Sequence, residues 1–332
     1  MNAVATAWLP RIPAVAVLAA LPLLVSDFRL GVVTEILIFG LLAASLDLLV
    51  GFSGLPSLGH ATYFGVGGYA AALVARDLTG NVLAGLVVAA VVTLVVALVT
   101  GFLAVRTRGV YFLMLTLAFA QLLFSLVQTW TPVTGGSNGM SVPSVDVWPG
   151  TSLDSTGRFY LFTVVTVGLC YLLLRRLVDS PFGRSIVGIR ENEARMRSVG
   201  YATLRYKLAA FTVAGVVGGL SGGLFAQYQR FISPGNVAFQ ISALALIMVI
   251  VGGVGTLYGP AIGAAAVILL RDELSRRYEH WELILGIVFA LFVYFLPGGL
   301  GGGAQRLRSR RAPMVASHSE AAPPAITQEI DL

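Results

Sequence analysis

Apolar residues run through this chain in blocks about 17 to 24 residues long, broken by short stretches of Gly, Pro, Ser and Arg. A hydrocarbon core of roughly 30 Å takes about 20 apolar residues in helix. Blocks of that length predict membrane spans near 9–25, 30–50, 57–76, 82–105, 109–130, 158–178, 207–229 and 281–297. The apolar stretch 239–274 is too long for one crossing and carries Gly252, Gly253, Gly255, Gly259 and Pro260 at its centre. It is expected to divide into two short spans.

Lys and Arg near span ends favour the cytoplasm and set the parity of the count. Ten spans put Arg106 and Arg108, the arginines of 175–206 and the tail arginines 306–311 on the cytoplasmic side. Nine spans would separate the 179–206 loop from the tail. The expected fold is therefore an all-α integral membrane protein of about ten transmembrane helices with both termini cytoplasmic. Arg271, Arg276 and Arg277 then fall outside, beside Asp272, Glu273 and Glu279. The loop 131–157 has no Lys or Arg and also lies outside. Residues 1–303 form the expected transmembrane domain, and 304–332, without apolar periodicity, a disordered cytoplasmic tail. The first block lacks a small-x-small cleavage site, so it is expected to stay as a span rather than be removed as a signal peptide.

Composition agrees with that solvent. Of 332 residues 57% are hydrophobic and 11% charged, mean hydropathy is +0.85, and soluble domains average about 25% charged. The net charge of +6 comes from arginines clustered between apolar blocks, a pattern of cytoplasmic loops rather than of a nucleic-acid groove. A single cysteine, Cys170, excludes an internal disulfide and a cysteine-based metal cluster, and is expected to pack as a small apolar residue.

Candidate chemistry is sparse. A phosphate-binding loop needs Gly-Lys-Ser or Gly-Lys-Thr, and the only lysine, Lys207, has neither context. The one Gly-x-Ser-x-Gly match, Gly219 to Gly223, lies in an apolar helical stretch, where a nucleophile elbow cannot form. Glu35, Asp47 and His60 are the ionisable residues within spans away from their ends, and no enzyme site can be assembled from them. Each carboxylate either reaches the interface, faces a water-filled path or pairs with a partner such as His60, and His60 is expected to be a hydrogen-bonded structural residue. Glycines at 65–68, 215–223 and 252–263 make seams for close helix packing or for motion. Thr116 and Gln121 form a polar stripe suited to helix contacts or to pore lining.

The longest cytoplasmic connection, 179–206, has helical character. Ser180 and Pro181 open it, Ile186, Ile189, Met196 and Val199 give an apolar stripe, and Gly200 ends it. Glu191 with Arg195 and Glu193 with Arg197 stand at i,i+4. Such a helix serves as an interfacial element or as a docking knob for a soluble partner.

The run Ser180-Pro181-Phe182-Gly183-Arg184 through Glu193-Ala194, followed by Gly200-Tyr201 and Tyr206-Lys207, resembles the coupling loop of branched-chain amino acid ABC importer permeases, LivM subfamily. Ser57-Leu58-Gly59-His60-Ala61, the segment from Arg108 to Gln121, the segment from Thr134 to Gly139 and the segment from Gly252 to Pro260 are similar to the same family. The likeness covers about residues 30–300. It implies a type II ABC importer permease architecture in a bacterial inner membrane, for branched-chain or other hydrophobic amino acids. It further implies a LivH-type permease sibling, LivG- and LivF-type ATPases that use the ATP, and an extracytoplasmic solute-binding protein. The chain itself would bind no cofactor and no metal. Gly183, Arg184, Arg190, Glu191, Glu193 and Ala194 would belong to the ATPase-coupling helix. Asp47, Ser57, His60, Tyr63, Thr116, Gln121, Gly252, Gly253 and Gly255 are the candidates for the translocation path or its gate. Leu55-Pro56 and Asp47 depart from the family pattern, and permeases for urea and short-chain amides are similar in the same blocks. An ATP-independent secondary transporter or channel is the remaining alternative.

Overall fold

The computed structural model describes residues 21, 22, 25–148 and 151–295. The expected first span and the tail 304–332 lie outside the described residues, apart from 21, 22 and 25. The helices are α1 (Asp27–Asp47), α2 (His60–Leu73), α3 (Val82–Ala104), α4 (Val110–Thr129) and the single turn α5 (Thr131–Thr134). There follow α6 (Thr156–Asp179), α7 (Pro181–Glu191), α8 (Glu193–Ser198), α9 (Thr203–Gln229), α10 (Phe239–Gly252), α11 (Gly259–Arg277) and α12 (Trp281–Phe295). Wider π turns extend α1 through Leu48–Phe52 and α2 through Val74–Leu78. Four strands of two or three residues complete the described chain: β1 (Met140–Ser141) pairs antiparallel with β4 (Phe231–Ile232), and β2 (Asp146–Trp148) with β3 (Thr151–Ser152).

Six stretches among the described residues are long and apolar enough to cross a bilayer: Asp27–Phe52, Val82–Ala104, Val110–Thr129, Thr156–Asp179, Thr203–Gln229 and Pro234–Gly252. The other expected spans differ for physical reasons. The span expected at 57–76 starts only at His60, because Ser53 to Gly59 is not helical, and its π tail carries Arg76 and Asp77. The 239–274 stretch divides as its glycines indicate, into α10 and α11, but α11 ends in a charged turn with Arg276 and Arg277.

Successive helices join two ends of the molecule. At the arginine-rich end, Arg108 pairs with Glu193, Arg190 donates to the Gly51 carbonyl, and Asp47 accepts from Gly255. At the hairpin end, β1 pairs with β4, Asn81 bridges to Asp146, and Arg230 pairs with Asp154.

Helices α2 and α9 form the centre. Glycine makes their approach possible: a β-carbon at Gly67 would collide with the Gly219 carbonyl, and one at Gly222 with the Phe64 carbonyl. Dispersion between closely apposed backbones is what binds helices in lipid, where exclusion of water contributes nothing. Phe39 of α1, Phe64 of α2 and Phe225 of α9 cluster over this seam with ring centroids 5.2–5.7 Å apart. On the outside, α3, α4 and α6 turn Val91, Val95, Met114, Leu122, Val165 and Leu169 outward. Such an apolar belt fits lipid as the surrounding solvent.

The arginines expected outside are neutralised locally. Arg271 reaches Glu35 at 2.6 Å, while Arg276 pairs with Asp272 and Arg277 with Glu273. Glu35 thus pairs with Arg271 rather than with His60, and holds α1 to α11.

Candidate translocation and coupling site

Ser180 opens the segment after α6 as expected. Its Oγ accepts from the Gly183 N–H, and Pro181 fills the first helical position, where no donor is required. One continuous helix to Gly200 does not form. Asn192 adopts φ −154°, ψ 93°, ends α7, and caps α8 by accepting from the Arg195 N–H at 2.9 Å. The break corrects the expected ion pairs. Glu191 and Arg195 lie on different helices and form no pair, whereas Glu193 and Arg197, both on α8, meet at 3.0 Å. Ile186 and Ile189 are buried as the stripe requires, Met196 packs against Gly188, and Val199 is exposed.

The six expected coupling residues divide into two sets. Arg184, Arg190, Glu191 and Ala194 are exposed on α7 and α8. Gly183 is buried because a β-carbon there would meet the Val178 carbonyl. Glu193 points inward and takes Lys207 Nζ at 2.7 Å, Thr203 Oγ1 at 3.2 Å and Arg108 at 3.3 Å besides Arg197. It therefore ties α8 to the start of α9 and to the α3–α4 turn. Partial burial raises the Glu193 pKa, but the Lys207 ammonium and the Arg108 guanidinium outweigh it and hold the carboxyl below its ordinary value. A carboxyl lowered by folding stabilises above its unfolded pKa and loses that contribution as pH falls through the folded one. Thermal stability of the purified protein should thus be flat in this contribution near neutrality and fall in acid below the usual glutamate range. Glu193→Gln should remove that acid step; an unchanged acid profile in the variant would contradict the assignment.

Arg190 links this segment to the membrane part. Its guanidinium donates to the Gly51 carbonyl, and its stem packs on Gly54, where φ is +66°. Gly51 touches Asp47, whose side chain is wholly buried and uses both oxygens: Oδ1 accepts from Gly255 N at 2.7 Å and Oδ2 from Leu257 N at 3.0 Å. Leu257 has φ +58°, a conformation that costs a residue with a β-carbon about 1–3 kcal/mol and persists only where neighbours fix it. The Asp47 carboxylate is the group that fixes it. In the same turn Gly253 and Gly255 take positive φ, and Gly252 presses against the Gly259 carbonyl where α10 and α11 cross. Asp47, Gly252, Gly253 and Gly255 are thereby brought together, in contact through Gly51 with Arg190. Asp47 is buried within the protein and does not pair with His60.

The other path candidates are placed differently. His60 is buried, with Nε2 at 2.7 Å from Ser45 Oγ. Ser57 Oγ accepts from Gly59 N at 3.3 Å, Tyr63 and Thr100 share a hydroxyl hydrogen bond at 2.7 Å, and Thr116 Oγ1 accepts from Leu58 N at 3.3 Å. These four side chains are buried and fasten the entry to α2. Gln121 alone of the set is exposed in a cavity of about 650 Å³ at the hairpin end, with Gln128, Ser137, Ser233 and Gln240. The last four escaped the sequence reading. The signal for one of them was present: Gln121 and Gln128 stand seven residues apart in an apolar span, on one helix face.

Ser221, in the only esterase-like motif, is buried in α9 and donates to the Gly218 carbonyl at 2.7 Å. Lys207 is occupied by Glu193. No cluster of metal-binding side chains occurs among the described residues.

Known proteins give the same answer by a separate route. The family model of the branched-chain amino acid transport system / permease component matches residues 28–296. The high-affinity branched-chain amino acid transport system permease protein LivM of Salmonella typhimurium is 30% identical over 304 residues, 85% of this chain and 72% of that protein. The probable branched-chain amino acid transport permease protein LivM of Methanocaldococcus jannaschii is 23% identical over 312 residues, 79% of this chain and 90% of that protein. A weaker likeness, 25% over 168 residues, covers 48% of this chain and 51% of the ribose import permease protein RbsC of Haemophilus influenzae. No solved structure matches the chain. With a match that spans nearly every described helix, the chain belongs to the branched-chain amino acid transport permease family, as a multi-pass LivM-type membrane permease and not an enzyme.

Proposed function

We propose that this chain is a membrane-spanning subunit of an ATP-driven importer for branched-chain or other hydrophobic amino acids. It sits in a bacterial inner membrane as a type II importer permease of about ten spans, with both termini and the 179–206 segment cytoplasmic. Its partners are a LivH-type permease, LivG- and LivF-type ATPases and an extracytoplasmic solute-binding protein. The ATPases use the ATP, and this chain binds no cofactor.

The observation that carries the reading is the unbroken contact from Arg190 through Gly51 and Asp47 to the 253–258 turn. An exposed helix face with Arg184, Glu191 and Ala194 suits the groove of a soluble partner, and mixed charges suit it better than an anionic headgroup layer. Closure of the ATPases displaces α7. Arg190 then moves the 51–54 loop, and Asp47 passes the displacement to the turn between α10 and α11. The helices pivot where glycine lets backbones slide, and the path opens to alternate sides. A secondary transporter would instead need a shared ion site, but Glu35, Asp47 and His60 are held by three different partners.

Reversing the exposed charges, Arg184→Glu with Glu191→Arg, tests docking in the reconstituted complex. Solute-stimulated ATP hydrolysis and uptake should fall at least tenfold while the chain still inserts and stays folded. Uptake at the normal rate, or flux through this chain in liposomes without ATPases, would refute the proposal.

A further inference from the structure

Resting on the reading above, we infer that the cavity among Gln121, Gln128, Ser137, Ser233 and Gln240 is a receiving subsite for a zwitterionic, aliphatic amino acid at the outer mouth. Its frame is built rather than incidental. The turn Pro234–Asn236 is fixed by a reciprocal cap, in which the Ser233 side chain accepts from the Asn236 N–H and Asn236 Oδ1 accepts from Ser233 N at 2.9 Å. The β1–β4 pair holds the 136–141 segment against it.

Depth separates this cavity from an ordinary surface hollow. Gln121 lies two turns inside Thr129, the end of α4, about 12 Å at 1.5 Å per residue. An exposed carboxamide at that depth is costly against lipid chains, so the face it shares with Gln128 borders water. About 650 Å³ is ample for a small solute and its hydration.

The lining selects a class. Gln121, Gln128 and Gln240 each offer two donors and an acceptor, and the serine hydroxyls offer both. Together they can pair with a carboxylate and an ammonium at once. No charged residue lines the cavity, so a solute with net charge would exchange its hydration for dipoles without a counter-ion. Phe124 and Phe239 supply apolar surface beside the amides for an aliphatic side chain. Without a fixed charge the grip stays weak, which a transit site requires for release.

Substituted-cysteine labelling in the full complex tests this, since the only native thiol, Cys170, is buried. In a Cys170→Ser parent, Gln121→Cys and Gln128→Cys should each react with a membrane-impermeant charged thiol reagent added outside. Leucine should slow both reactions at least fivefold; lysine and glutamate should leave them unchanged. Gln240→Leu should raise the KM for leucine uptake about fivefold with little change in the maximal rate. Failure of both cysteines to react, as when a sibling subunit seals this face, overturns the subsite. So does equal protection by lysine, glutamate or urea. ATP-driven leucine uptake by the parent in the same vesicles keeps the two readings apart: its absence sinks the importer, whereas uptake without protection sinks only the subsite.

Discussion

Gly222→Ala is expected to prevent stable assembly of this permease, although it adds one methyl group to a helix. The new carbon would meet the Phe64 carbonyl, a backbone atom that no rotamer change can move aside. Relief requires parting α2 from α9 along the seam that also includes Gly67 and Gly219. Overpacking costs typically about 1–3 kcal/mol, and a backbone obstacle places this site at or above the upper end. The loss should appear as a fall of at least tenfold in folded, detergent-extractable protein. Gly168→Ala on α6 is the matched control, since nothing lies within 4 Å of a β-carbon there. Alanine outranks glycine in a helix by roughly 0.5–1 kcal/mol, so this variant should be as stable as the parent or slightly more so. Equal behaviour of the two variants, measured by thermal unfolding in detergent, would refute the role of the seam.

The second large effect is expected at Asp47. Asp47→Ala leaves the Gly255 and Leu257 N–H groups without acceptors in a buried turn and removes what fixes Leu257 at positive φ. Hydrogen bonds to a charged group contribute about 1.5–3 kcal/mol each, so a loss of about 3–6 kcal/mol follows. Uptake should vanish, and ATP hydrolysis should no longer respond to solute. Asp47→Asn should retain uptake to within a few fold, because the amide oxygen still serves one of the two donors. This asymmetry separates a hydrogen-bonding clamp from a proton-carrying carboxylate, for which both substitutions would be equally damaging. Loss of uptake in Asp47→Asn with the fold intact would favour the carrier.

Local chemistry made much of the architecture legible in the residues. Block length located α3, α4, α6 and α9 to within a few residues, and the Gly252 to Pro260 cluster marked the boundary between α10 and α11. Ser180 and Pro181 announced α7. Asn192 was the missed signal: its side chain favours a cap over a helix interior, and it divides a segment whose apolar stripe suggested one helix. Ser57 was placed in a span because apolar content alone does not show where α2 begins; that depends on Leu58 and Gly59 meeting Thr116. The partners of Glu35 and Asp47, and those of Glu193 other than Arg197, were not legible for a related reason. Asp47 meets a turn more than two hundred residues away, and no periodicity within a window reports such a contact. Likewise, the paired two-residue strands near 140 and 231 are too short to leave an alternating pattern.

The enclosure of Lys207 against Glu193 has a practical corollary. This is the chain's single lysine, so an amine-directed reagent finds no free side-chain target at rest. Acylation at that position would report any opening of the Glu193–Lys207 pair, which ties α8 to the start of α9, without any engineered label.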